Sequence, residues 1–245
     1  MYDNYMWMDR IYYWTQPYIN LLLNYFKSEK YGIKQEYVAN YLPRAYIDSE
    51  EMAAKYQAEV YKKAARLIKK YKLKNVVDVG CGHGVKLERF IKPVSRNITG
   101  IDTPISIGFC KDKYKFGKWV ADDISKPYAK LSTKHDLVMS VDVIEHLINP
   151  DDLVNYIKGL SKPGGWVLIS TPERDRLRGK THNGPAGEAN PAHVREWNQK
   201  ELKGYLTSRG MTVMEQILVN DVSGKHKSVP GRNFGNTCQV VIGKF

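Results

Sequence analysis

The sequence predicts an α/β fold: a mostly parallel sheet of seven strands with helices on both faces, plus an aromatic helical N-terminal extension. Three observations predict it. Apolar runs rich in valine and isoleucine alternate with stretches of helical periodicity. Residues 76–84, Val-Val-Asp-Val-Gly-Cys-Gly-His-Gly, carry one such run straight into three closely spaced glycines. Acidic residues, Asp102 and Asp122, close the next two runs. Runs without polar alternation suit strands buried on both faces, as in a parallel sheet.

The elements follow in chain order. Residues 1–48 stand apart, with ten of the 17 tyrosines before residue 48. The stretch from Tyr5 to Phe26 reads as a helix interrupted near Pro17. Such an aromatic segment suits a lid, an acceptor platform, a contact between two copies, or plain packing on the core. Residues 49–245 form the main domain. Tyr56, Val60, Ala64, Leu67, Ile68 and Tyr71 recur at helical spacing and predict a helix over 50–71, with Asp48 or Ser49 as its cap. The first strand enters the glycine turn, and Val85 to Ile91 continue as a helix. Residues 97–102, 119–124, 135–140 and 166–170 read as strands two to five, the last after Pro163-Gly164-Gly165. Residues 198–209 read as a helix, and 211–219 and 237–242 as the closing strands. Long polar segments at 172–197 and 221–236 interrupt the pattern, and loops of that length are usually functional or disordered. This order is that of a Rossmann-like sheet.

Composition narrows the function. Hydrophobic residues make up 42% and charged residues 26% of the 245, as in a globular domain large enough for a sizeable core. No apolar run approaches the length that spans a bilayer, and Asp3 and Asp9 interrupt any signal-like start. Cys81, Cys110 and Cys238 lack metal-binding spacing and cannot all pair, which points to a reducing cytoplasm. The net charge of +12 has two readings. One is an anionic partner: nucleic acid, nucleotide sugar, phosphorylated lipid or membrane surface. The other is a set of solvated lysine-rich faces, and the cluster from Lys62 to Lys74 fits both.

The glycine turn lets the backbone approach a ligand without a Cβ in the way. Its third glycine falls one residue too early for the dinucleotide fingerprint. The spacing, with the strand-end acids after it, resembles class I S-adenosylmethionine-dependent methyltransferases over about residues 50–245. The resemblance implies an S-adenosylmethionine site built from Asp78, Gly80, Cys81, Gly82, Gly84, Asp102, Thr103, Asp122, Asp123 and Ser140. Within it Asp102 would hold the ribose, and Asp122, with Asp123 beside it, the adenine.

Methyl transfer to a hydroxyl needs in-line alignment and a way to remove the acceptor's proton. Asp142, Glu145 and His146 are spaced to share one face of a helical turn. With the later His193 they form a candidate divalent-cation site, and Glu145, His146 and His193 are equally candidates for metal-free acid–base work. The pattern resembles small-RNA 3′-terminal 2′-O-methyltransferases, and its first half resembles ubiquinone-pathway O-methyltransferases; both imply magnesium. Residues 170–197 resemble a bacterial glycan-cluster methyltransferase subfamily, with Gly187-Glu188-Ala189 as a departure. That resemblance implies a saccharide or nucleotide-sugar acceptor, and Arg174, Arg176, Arg178 and Lys180 are candidates to hold its phosphates. The expected enzyme is therefore a sugar O-methyltransferase. Its rivals are an RNA 2′-O-methyltransferase, an enzyme acting on a phosphate-type oxygen or amino sugar, and a cofactor-binding scaffold.

Overall fold

A computed structural model describes residues 56–124, 126–127, 129, 131–174, 193–220 and 237–245. The expected N-terminal extension lies outside these residues, as do Arg176, Arg178, Lys180 and the loop between the closing strands.

Helix α1 (Ala58–Tyr71) buries Val60, Ala64, Leu67 and Ile68 of the predicted stripe, with Tyr61 added, while Tyr71 is exposed. It starts later than expected. Gln57 sits in the left-handed region at φ 58°, so Tyr56 falls before the helix. Lys69 and Lys70 in the last turn complement the helix dipole. Strand β1 (Asn75–Val79) then runs into the glycine turn. Residues 85–91 are helical as predicted, Leu87–Ile91 being a wide turn closed by Lys92 N–H donating to the Leu87 carbonyl at 2.8 Å. Strand β2 (Asn97–Asp102), helix α2 (Pro104–Lys113) and strand β3 (Lys118–Ala121) follow. Strand β3 stops before Asp122, three residues short of its predicted end. Strand β4 (His135–Val141) leads through the 3-10 turn Ile144–His146 into helix α3 (Pro150–Leu160), capped by Asn149. Strand β5 (Ser161–Pro172) extends past its predicted ends on both sides. Helix α4 (Gln199–Ser208) and strands β6 (Thr212–Asn220) and β7 (Thr237–Lys244) complete the domain.

The seven strands are ordered β3-β2-β1-β4-β5-β7-β6. The pairs β1–β2, β2–β3, β1–β4 and β4–β5 are parallel, and β7 lies antiparallel between β5 and β6. Alternate residues of the strands feed two cores. Val76, Leu137, Met139 and Leu168 face α1, while Val77, Val138, Val167 and Ile169 face α3 and α4. The chain leaves β1 toward β2 and later returns on its other side with β4. That reversal opens a crevice above the carboxyl ends of β1 and β4, where such sheets hold ligands.

Candidate functional site

The glycine turn occupies that crevice. Gly80, Gly82 and Gly84 all have positive φ, from 54° to 85°. A Cβ on Gly80 would collide with Val143, and one on Gly84 would lie 2.7 Å from the Trp119 ring. A Cβ on Gly82 would meet nothing within 4 Å. Gly80 and Gly84 are thus fixed by packing, and Gly82 faces open space. Its N–H donates to Asp102 Oδ2 at 2.8 Å, and Thr103 N–H donates to Oδ1 at 2.7 Å. Two backbone donors thus hold the Asp102 carboxylate at the rim of the turn. Thr103 itself is the exposed residue just before α2.

Asp78 lies under the turn, fully buried, with Oδ2 accepting the Tyr61 hydroxyl at 2.7 Å. Its Oδ1 has no hydrogen-bond partner among the described residues. Burial pushes its pKa up to about 7, against smaller opposing effects of Tyr61 and Lys86. Burial likewise pushes the Cys81 thiol up, with Cys110 hydrogen-bonded beside it. An orphaned buried carboxylate oxygen beneath a glycine turn whose Gly82 faces open space suits a cationic, amine-bearing ligand, so these residues fit S-adenosylmethionine.

Two of the expected cofactor residues are engaged by protein partners. Asp122 is buried, its Oδ1 taking the N–H of Asp123 at 3.0 Å and of Ala129 at 3.2 Å. Its Oδ2 takes the Tyr156 hydroxyl at 2.5 Å. The neighbouring Asp123 carries the exposed side chain. Ser140 has no exposed surface and donates to the Val79 carbonyl at 3.1 Å, tying β4 to β1 inside the sheet.

Val143 packs on Gly80, which sets the Ile144–His146 turn against the glycine turn. Donor atoms of Glu145, His146 and His193 lie within 4.8 Å of one another. The rings of His146 and His193 meet edge to face, centroids 4.8 Å apart. Glu145 is 0% exposed; Thr171 donates to Oε2 at 3.0 Å, and Oε1 has no partner among the described residues. Burial, with Asp142 and then Glu196 adding to it, raises the Glu145 pKa well above the usual carboxylate range. His146 is exposed, so the cluster reaches the surface on one side.

Asp142 does not join this cluster. It sits in the left-handed region at φ 55°, and its carboxylate accepts from Ser170 at 2.7 Å and Gln57 at 2.7 Å, with the Cys238 thiol at 3.3 Å. The expected shared face assumed a regular helical turn. A left-handed residue ahead of a 3-10 turn rotates Asp142 away. Arg174 is also corrected: it is 1% exposed and grips Glu201 with both terminal nitrogens, at 2.7 and 2.8 Å. Its guanidinium holds helix α4 rather than standing ready for a phosphate.

The partners Tyr61, Tyr156, Thr171 and Glu196 carried no assigned role in the sequence. Tyr156 meets Asp122 across 34 residues and Thr171 meets Glu145 across 26, so neither contact has a local signature. His135 is buried, with Nδ1 3.3 Å from the Leu160 carbonyl.

Residues 50–216 match the methyltransferase-domain family, and the chain belongs to that family. Its fold is that of the class I S-adenosylmethionine-dependent methyltransferases. The chain is 31% identical over 107 residues to the ubiquinone biosynthesis O-methyltransferase of Paraburkholderia phytofirmans, covering 42% of this chain and 46% of that one. It is 29% identical over 109 residues to the enzyme of the same name from Proteus mirabilis, covering 42% and 44%. The chain thus spans less than half the length of these curated relatives. Among solved structures, N-methyltransferase NodS from Bradyrhizobium japonicum in complex with S-adenosyl-L-homocysteine aligns with TM-score 0.55 at 17% identity, over 76% of this chain and 85% of that one. The methyltransferase domain of bacterial CtHen1 aligns with TM-score 0.57 at 20% identity, over 77% and 98%. These structural likenesses carry the fold alone.

Among the described residues no helix is long and apolar enough to cross a membrane.

Proposed function

We propose that the chain transfers the methyl group of S-adenosylmethionine to an oxygen acceptor, a sugar hydroxyl of a nucleotide sugar, glycan or polysaccharide. One observation carries the oxygen reading: the gathering of Glu145, His146 and His193 within 4.8 Å beside the glycine turn. A sugar hydroxyl is a weak acid, and a transfer to it needs a group that takes or displaces its proton. The names of the curated relatives, O-methyltransferases, support the same class.

In this reading Gly82 admits the cofactor, Asp102 holds its ribose, and the free oxygen of Asp78 faces its cationic part. Asp122 or the exposed Asp123 receives the adenine edge. Burial raises the Glu145 pKa, and the imidazoles of His146 and His193 are the groups proposed to take the acceptor proton. The same three residues fit a divalent cation. Two imidazoles and a carboxylate suit a borderline ion of the manganese or zinc kind; magnesium favours oxygen donors. Such an ion, when bound, would lower the pKa of the acceptor hydroxyl.

The second reading is a 2′-hydroxyl at an RNA 3′ end, favoured by the net charge of +12 and by His193 meeting Glu145 and His146. The test is transfer of labelled methyl from S-adenosylmethionine to nucleotide sugars, glycans and short RNA, with and without EDTA. Transfer to a sugar supports the first reading; arrest by EDTA adds the cation, and indifference to EDTA leaves the histidines as bases. Transfer only to RNA selects the second. His193→Ala is expected to abolish transfer while S-adenosylhomocysteine binding, read by calorimetry, persists. Near-normal turnover would remove His193 from the site.

A further inference from the structure

We infer that Glu196 is the positioning residue of the site: it holds His193 by Nδ1 and so makes Nε2 the nitrogen that acts. This deepens the proposed function, because it assigns the atom through which His193 takes a proton or binds a cation.

The geometry begins with the dyad. His193 Nδ1 lies 3.1 Å from Glu196 Oε1. His193 is 8% and Glu196 2% exposed, so water hardly competes for the bond. A carboxylate only accepts, so in neutral His193 the Nδ1 nitrogen carries the hydrogen and Nε2 the lone pair. Imidazoles that act as bases or ligands are set this way by a partner on the opposite nitrogen.

The backbone that presents the dyad is fixed from several sides. Val194 N–H and Arg195 N–H donate to the Glu145 carbonyl at 2.7 and 3.3 Å, stitching the His193 segment to the Glu145 turn. The Trp197 carbonyl accepts Arg174 N–H at 2.9 Å and Gln239 Nε2 at 2.8 Å. The Arg174 guanidinium donates to the Glu196 carbonyl at 3.2 Å while gripping Glu201. Glu196 thus stands on a segment with little freedom, three residues from the imidazole it holds. A merely structural ion pair would not need the imidazole to sit against His146 and the buried Glu145 as well.

The test uses the full chain and two variants. Glu196→Ala removes the acceptor, and Glu196→Gln keeps an acceptor without the charge. Nitrogen NMR of 15N-histidine-labelled protein reads the tautomer of His193, identified by its loss in His193→Ala. The expected result is Nδ1–H in the wild type and a mixture in Glu196→Ala. Calorimetry with Mn2+ reads the site's affinity, which should fall about 10- to 100-fold in Glu196→Ala and by less in Glu196→Gln. S-adenosylhomocysteine affinity should be unchanged in both, which shows that the fold survives. An unchanged tautomer in Glu196→Ala overturns the inference. A wild type that binds no Mn2+ overturns only the cation reading, and the NMR result then decides on Glu196. Should Glu196→Ala not fold, Glu196→Gln serves alone: a wild-type Mn2+ affinity together with a wild-type pH profile of transfer would overturn the role of the charge.

Discussion

In the proposed reading, Asp78 joins stability to ligand binding in one residue. Its carboxyl is raised from the ordinary 3.8 to about 7 by burial, so the folded chain keeps a proton that the unfolded chain has lost. Stability therefore falls as pH rises from about 4 to about 7, by up to about 4 kcal/mol from this group. Asp78→Asn should remove that slope and unfold at higher urea than wild type at pH 8. The cationic cofactor favours the ionised form, so wild-type S-adenosylhomocysteine or S-adenosylmethionine affinity should rise about tenfold between about pH 6 and pH 8. An affinity flat across that range would show that Asp78 does not face the ligand. Gly82 is the complementary case. Gly82→Ala places a Cβ, at φ 54°, in space that is open in the chain and that the proposed reading gives to the cofactor. It should cost about 1–2 kcal/mol of stability from the left-handed backbone and remove most cofactor binding. Thermal unfolding and calorimetry separate the two effects.

At the scale of elements, the site depends on how α4 and the end of β5 are locked together. Asn198 and Glu201 form a reciprocal capping box at the start of α4, and Arg174 ties Glu201 back to β5. The Arg174 side chain is buried, while Glu201 keeps 27% exposure. Arg174→Ala should therefore cost about 2–3 kcal/mol, less than a fully buried pair. The effect on methyl transfer should exceed that on S-adenosylhomocysteine binding, because the clamp supports His193 and not the glycine turn. Equal losses would place the clamp outside the acceptor side. The 3-10 turn Ile144–His146 is the other decisive element. With Asp142 in the left-handed region before it, the turn sends Glu145 inward and His146 to the surface while Asp142 faces Ser170 and Gln57.

At the scale of the molecule, β7 is a central strand supplied by the C-terminus, paired on both sides and lined by Val240, Val241 and Ile242 in the two cores. Deleting residues 237–245 should leave no cooperative unfolding transition in urea, since β6 would lose its only sheet neighbour among the described residues. A truncated chain with a wild-type transition would contradict this topology. Much of the architecture was legible in the sequence. Strands buried on both faces write themselves as continuous apolar runs, and a backbone turn at positive φ writes itself as glycine, so β1, β2, β4 and the Gly80–Gly84 turn could be read locally. Helix α2 was harder to place, since exposed Ile105 and Phe109 blur its periodicity. The start of α1 was missed because Gln57, a residue with no special turn signature, adopts the left-handed region. The sequence by itself determined the class of fold, the glycine cradle and the short list of acids and histidines. Only the tertiary structure decided which of them meet: Glu145 with His193 but not with Asp142, Asp122 with Tyr156, Arg174 with Glu201. Those meetings join residues far apart in the chain, and they are set by turn geometry and burial rather than by spacing.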